Sequence, residues 1–322
     1  MVGQIRSQWT FKVSPDGSHL AYLTPESGAL HVRDRSGHER TLEGVKSNDW
    51  RFSADGSRVA AIIGEGYERS IVVLDLSAGT TRELGHSHIP DHLEWTKQGV
   101  VTRELHVIDR RGWGNRYQLT YYPLEGPSRT LVERKGIRQF ATASHGTRVI
   151  FFDVGRDGRA EIFELSVDQP GSPVALGKLR DVRDAEIAPE GDRAAVVTAN
   201  GVFLIEGKRL RRVSRDENVS TLWFSNDGTR VVFATPRVVT LLLGGAAKKL
   251  EASGQVFESA RFVSGGPDVL VAGSHTVLRW KAEVAKPETM AASREGENIL
   301  AADLIGHDLV IWTQQPNGSG AL

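Results

Sequence analysis

Three histidines and a carboxylate fall within one short stretch, His86, His88, Asp91 and His92, with His106 further on. A His-x-His pair beside a carboxylate is a donor set that suits zinc, manganese or iron. His86, His88 and His92 are therefore the candidate metal ligands of the chain. The same residues also make an ordinary solvated loop, and the expectation is that no metal or other cofactor is bound. A second group, Trp113 with Arg110, Arg111, Arg116 and Tyr117, has the residue types that anchor protein interfaces. Asp49, Asp91 and Asp184 open comparable stretches and could line the mouth of a channel, although turn chemistry explains Asp there equally well. No G-x-S-x-G nucleophile elbow is present. With no cysteine in the chain, disulfides, thiolate catalysis and Cys-based zinc sites are excluded.

The chain has 322 residues, 40 basic and 40 acidic, so no net field draws it to nucleic acid or to an anionic membrane. No apolar run approaches the roughly 18 residues of a membrane span. Residues 1–7 lack the apolar core of a signal peptide, which predicts a cytoplasmic protein, or a periplasmic one if a leader has been removed.

The elements that must position these residues are hairpins. In Ser14-Pro15-Asp16-Gly17, apolar residues alternate into the turn from Trp9 to Val13 and out of it from His19 to Leu23. The turn returns as Ser53-Ala54-Asp55-Gly56 and Ser225-Asn226-Asp227-Gly228. Weaker copies end at glycines 99, 146, 191, 266 and 306. Successive turn glycines are 39, 43, 47, 45, 37, 38 and 40 residues apart, the period of propeller blades with about four strands each. The fold expected is all-β: one β-propeller domain over residues 1–322, with eight blades, or seven if the last hairpin packs irregularly. The units fall near 8–46, 47–86, 87–134, 135–179, 180–216, 217–254, 255–295 and 296–313. The last unit lacks a third strand, residues 315–320 read as a tail, and residues 4–8 are expected to close the ring beside Leu309–Trp312. Lys208 to Arg212 and Lys248-Lys249 belong to outer strands, where basic residues block edge-to-edge pairing.

Phe52-Ser53-Ala54-Asp55-Gly56-Ser57-Arg58-Val59-Ala60 and Phe224-Ser225-Asn226-Asp227-Gly228-Thr229-Arg230-Val231-Val232-Phe233 resemble the F-S-P-D-G signature of the TolB-like, WD-like repeat propellers, as does Val13 to Tyr22. That resemblance implies an isolated propeller, most often an interaction platform. Some TolB-like lyases of acidic sugars use a histidine-bound metal, which keeps an enzyme reading open.

Long connections cluster in units two to four, on the face opposite the glycine turns, and long loops on a rigid scaffold are where binding residues are placed. The expectation is a non-catalytic scaffold that binds a protein or peptide, with no nucleic acid and no membrane as partner. Tyr67, Trp113, Arg116, Arg138 and Arg156 would make the contacts, with His88, Asp91 and His92 at the rim. The alternative is a metal-dependent lyase or hydrolase acting on a saccharide.

Overall fold

The computed structural model describes residues 11–24, 28–106, 115–252, 254–263, 266–281, 283–284, 286–305, 307–314 and 320–321, and for residues 46–49, 312 and 320–321 the backbone alone. Among these there is no helix; the strands form eight antiparallel sheets, seven of four strands and one of three. In every sheet the strands pair in chain order, so each sheet is a meander, and the eight make the blades of an eight-bladed β-propeller. The first blade runs Phe11–Val13, His19–Thr24, Ala29–Asp34 and Glu39–Leu42, from the innermost strand outward.

The repeated turn explains why the hairpins form where they do. Ser53 Oγ donates to Asp55 Oδ1 over 2.6 Å, and the backbone N–H of Ser57 donates to the same oxygen over 3.0 Å. Ser225 and Asp227 repeat the arrangement, and hydrogen bonds from Ser225 and Thr229 hold the Asp227 carboxyl below the usual carboxylate range. Gly56 and Gly228 take φ of 72° and 66°, where a Cβ is penalised. The Arg148 guanidinium donates to the Gly191 carbonyl and that of Arg193 to the Gly228 carbonyl, each one blade ahead. These contacts staple neighbouring turns together.

The apolar core is divided between blades. One cluster of buried residues joins the first and second blades through Leu30, Val32, Trp50 and Val59. Others join each later pair as far as the seventh and eighth, where Leu270, Val277, Ile299 and Leu304 meet. The second to seventh sheets thus bury apolar residues on both faces, as stacked repeats must. The eighth blade meets the first differently. The Asp303 carboxylate accepts from the backbone N–H of Val13, and the Arg261 guanidinium, reaching over from the seventh blade to pair with Asp303, lies 5.8 Å from the ring centre of Phe11.

Closure by residues 4–8 lies outside the described residues. The chain end departs from the tail expected of it: Gly320–Ala321 pairs with Thr313 and Gln314 as the third strand of the eighth blade. The sequence there offers no apolar alternation to mark a strand, because the pairing uses backbone groups alone.

Candidate functional site

The innermost strands of the eight blades surround a central channel. They are Phe11–Val13, Val45–Phe52, Pro90–Thr96, Ile137–Thr142, Val182–Ile187, Thr221–Phe224, Phe257–Phe262 and Asn298–Ile305. Residues five before each turn glycine share one height on this wall: Lys12, Arg51, Glu94, Ala141, Glu186, Trp223, Arg261 and Ala301. In three of these strands both neighbours are buried between blades, and in the other five one neighbour is. Leu93 and Trp95 flank Glu94, and Leu222 and Phe224 flank Trp223. The period of two then turns the residue between them toward the channel. The fourth blade contributes only Ala141, which is 6% exposed, so the wall between Glu94 and Glu186 carries no bulk at this height.

Lys12 Nζ donates to the Trp50 carbonyl over 3.2 Å and sits 4.6 Å from the Trp50 ring centre. Arg51 Nε donates to Glu94 Oε1 over 3.2 Å, and His92 Nε2 lies 3.1 Å from that same oxygen. Trp95 Nε1 donates to the Arg51 carbonyl over 2.9 Å and fixes the height of one strand against the next. Across the channel, Arg261 NH1 pairs with Asp303 Oδ2 at 2.8 Å.

Burial alone would raise the Glu94 carboxyl, but the charge of Arg51, then His92 and Lys12, holds it at about 2. Glu186 goes the other way. Burial, then the charges of Glu94 and Asp184, push it well above the usual range. Asp184 is raised too, by burial first, against a 2.9 Å hydrogen bond from the backbone N–H of Ala185. Both acids reach the channel water yet are walled by protein, which is why they are poorly solvated although not covered. The charges that act on Glu186 belong to the first, second, third and fifth blades, so these groups share one lumen. Two carboxyl groups in one cavity whose titrations are driven apart can serve as a base and an acid.

Among the described residues, the non-glycine positions with positive φ are Ile89, Asp181 and Asn218, at 46°, 53° and 59°. They lie in the connections into the third, fifth and sixth inner strands, which carry Glu94, Glu186 and Trp223. Such strain is costly and concentrates at functional sites.

The sequence-predicted residues do not gather. His86 Nε2 is 3.0 Å from Glu83, on an exposed outer strand, and the His88 ring stacks on Tyr67 with centres 5.9 Å apart. Tyr67 is 71% exposed. Asp91 takes two hydrogen bonds from Arg103, at 2.7 and 2.6 Å, and Arg116 pairs with Glu133 at 3.0 Å. Arg138 and Arg156 are exposed, on the fourth inner strand and on a turn of the same blade. Trp113, Arg110 and Arg111 lie outside the described residues, as does the Asp49 side chain. Of the expected set, His92 and Asp184 belong to the channel. Among the described residues no three His, Asp or Glu side chains converge to hold a metal ion.

Sequence reasoning missed Lys12, Arg51, Glu94, Glu186, Trp223 and Arg261. The signal was present: a charged or aromatic residue at a fixed distance before six of the eight turn glycines, within otherwise largely apolar strands. A cleft of about 690 Å³ also opens between the sixth and seventh blades, lined by Pro236, Arg237, Val238, Gln255, Val256 and His275 among others.

No protein-family model matches the chain, and no curated protein sequence matches it. Among solved structures, the chain is similar to one from a study of two prolyl endopeptidases, at 14% identity and a TM-score of 0.64, covering 97% of this chain and 53% of that one. An acylaminoacyl peptidase of Pyrococcus horikoshii follows at 12% identity and a TM-score of 0.58, covering 85% and 50%. An oligogalacturonate lyase in complex with manganese has 11% identity, a TM-score of 0.58 and 88% coverage of both chains. The chain thus spans about half the length of the two peptidases. At these identities the likeness shows the fold. The non-catalytic scaffold expected from the sequence does not stand: enzymes of two kinds share this fold over most of the chain. The manganese of the lyase finds no matching donor set among the described residues here.

Proposed function

We propose that this propeller is an enzyme acting on a saccharide, a hydrolase whose acid and base are carboxyl groups of the central channel. The observation that carries the reading is the pair Glu94 and Glu186, whose carboxyls are driven down and up respectively, facing one lumen with only Ala141 at their height on the strand between them. Glycoside hydrolysis uses such a pair: one carboxylic acid protonates the leaving oxygen, and a carboxylate on the other side activates water or attacks directly. Glu186 takes the first role and Glu94 the second. His92 and Arg51 position Glu94 and keep it ionised. Trp223 offers an indole, 42% exposed, against which the apolar face of a sugar ring can lie. The Ser-x-Asp-Gly turns support a TolB-like repeat within the propeller fold. The stand-alone lyase, matched over 88% of both chains, supports a propeller that is itself the enzyme.

The test is release of reducing ends from a panel of plant, chitin-derived and bacterial oligosaccharides. Glu94→Gln and Glu186→Gln are each expected to lower kcat by at least about 100-fold. Glu186→Gln should keep its melting temperature, and Glu94→Gln, which also loses its ion pairs, is assayed well below its own lowered one. Activity should also fall as pH rises through the raised Glu186 value, because the acid must start protonated. Turnover unchanged in both variants, or none on any saccharide, would refute the proposal.

A further inference from the structure

The charges of the channel are unequally paired. Each cation is held: Lys12 by the Trp50 carbonyl and ring, Arg51 by Glu94, and Arg261 by Asp303 and the Ala302 carbonyl. The acids of the fifth blade are not. Glu186 has no hydrogen-bond or ion-pair partner among the described residues, although it is partly buried in the channel wall. Asp184 accepts only from the backbone N–H of Ala185. The next blade brings Trp223 to the same height as Glu186, its indole 42% exposed and without a ring or hydrogen-bond partner among the described residues.

An unpaired carboxyl group in a poorly solvated wall is costly to ionise unless a cation faces it. The face of an exposed indole attracts cations through its quadrupole, and tryptophan is the best of the side chains for this. Two free carboxyl groups and a free indole on adjoining strands are therefore a recognition site for a positive charge. An anionic sugar would meet like charge on this wall and would find the opposite cations already engaged.

We infer that the substrate carries an ammonium group, as an amino sugar does, seated between Trp223, Glu186 and Asp184. This rests on the saccharide reading above and narrows it to a class. The closer the ammonium lies to Glu186, the more it favours loss of that carboxyl's proton. The productive arrangement therefore gives Asp184 the closer contact and leaves Glu186 as the acid. Asp184, nearer the loop-bearing mouth by two residues on the same strand, becomes the specificity residue.

Calorimetric titration of the full chain with the glucosamine trimer and with its N-acetylated counterpart decides the matter. The amino trimer is expected to bind at least tenfold more tightly, and Asp184→Asn to erase most of that preference while the neutral trimer binds as before. Trp223→Ala should weaken both. Circular dichroism and melting confirm that each variant is folded, and Asp184→Glu, which keeps the charge, should retain much of the preference. Equal affinity for the two trimers, binding of neither, or a preference untouched by Asp184→Asn overturns the inference. Tight, Asp184-dependent binding without turnover would uphold the cation site and refute the hydrolase. Turnover of neutral sugars with no preference would do the reverse.

Discussion

Replacing Glu94 by Gln removes the ionised group on which Arg51, His92 and Lys12 converge. Its carboxyl is held at about 2 against an ordinary 4.5, a gap worth about 3 kcal/mol of folding stability at neutral pH. Because the folded value is the lower one, this contribution is complete above the ordinary value and is lost as pH falls toward 2. Roughly 2 kcal/mol of it is gone by pH 3. Glu186 titrates in response to Glu94, so the clean comparison sets Glu186→Gln against Glu94→Gln/Glu186→Gln, in which that acid is silent. Urea denaturation of the two proteins from pH 7 to pH 3 reads the difference directly, since every other carboxylate cancels. The stability gap should shrink by roughly 2 kcal/mol across that range and should be narrower in high salt at every pH. A gap that does not change with pH would falsify the pairing of Glu94 with the channel cations.

Other positions test the frame around the site. Gly56→Ala places a Cβ against the Asp16 carboxylate at φ 72°, and is expected to lower stability by at least about 1 kcal/mol in denaturant titration, leaving channel affinity intact. Tyr122→Phe removes a hydroxyl that donates to buried Glu104 over 2.9 Å, so about 1–3 kcal/mol should be lost by the same measurement, and an unchanged midpoint would mean that Glu104 is satisfied without it. Arg193→Ala cuts the staple to the Gly228 carbonyl, with an expected cost of about 1 kcal/mol and faster hydrogen exchange confined to the fifth and sixth blades.

The blades were legible because a Ser-x-Asp-Gly turn satisfies its own donors locally, so Ser53 to Gly56 and Ser225 to Gly228 announce themselves without tertiary help. The last strand, Gly320–Ala321, was not legible, because two small residues pair through backbone alone. Of the site, Asp184 could be named as a channel candidate, and His92 only as a candidate metal ligand or rim residue. Lys12 and Trp223 could not, since a single polar or aromatic residue in an apolar strand reads as any strand until the strand is known to be innermost. The histidine run misled for a related reason. His86 and His88 sit on the outermost strand of the second blade and His92 on the innermost strand of the third, so closeness along the chain became distance across a blade.

The fixed offset between turn glycine and channel residue makes the wall a ring of eight slots, one per blade, each filled by a side chain whose neighbours do the packing. A slot can then be rewritten by one substitution with little change to the strand around it, as Ala301 shows by standing where Glu94 and Arg261 stand in other blades; Ala141, packed into the core between the fourth and fifth blades, is the exception. Selectivity in such a molecule can drift quickly while the architecture stays put, and a designer could exchange one letter of the ring at a time to retune what passes or reacts inside it.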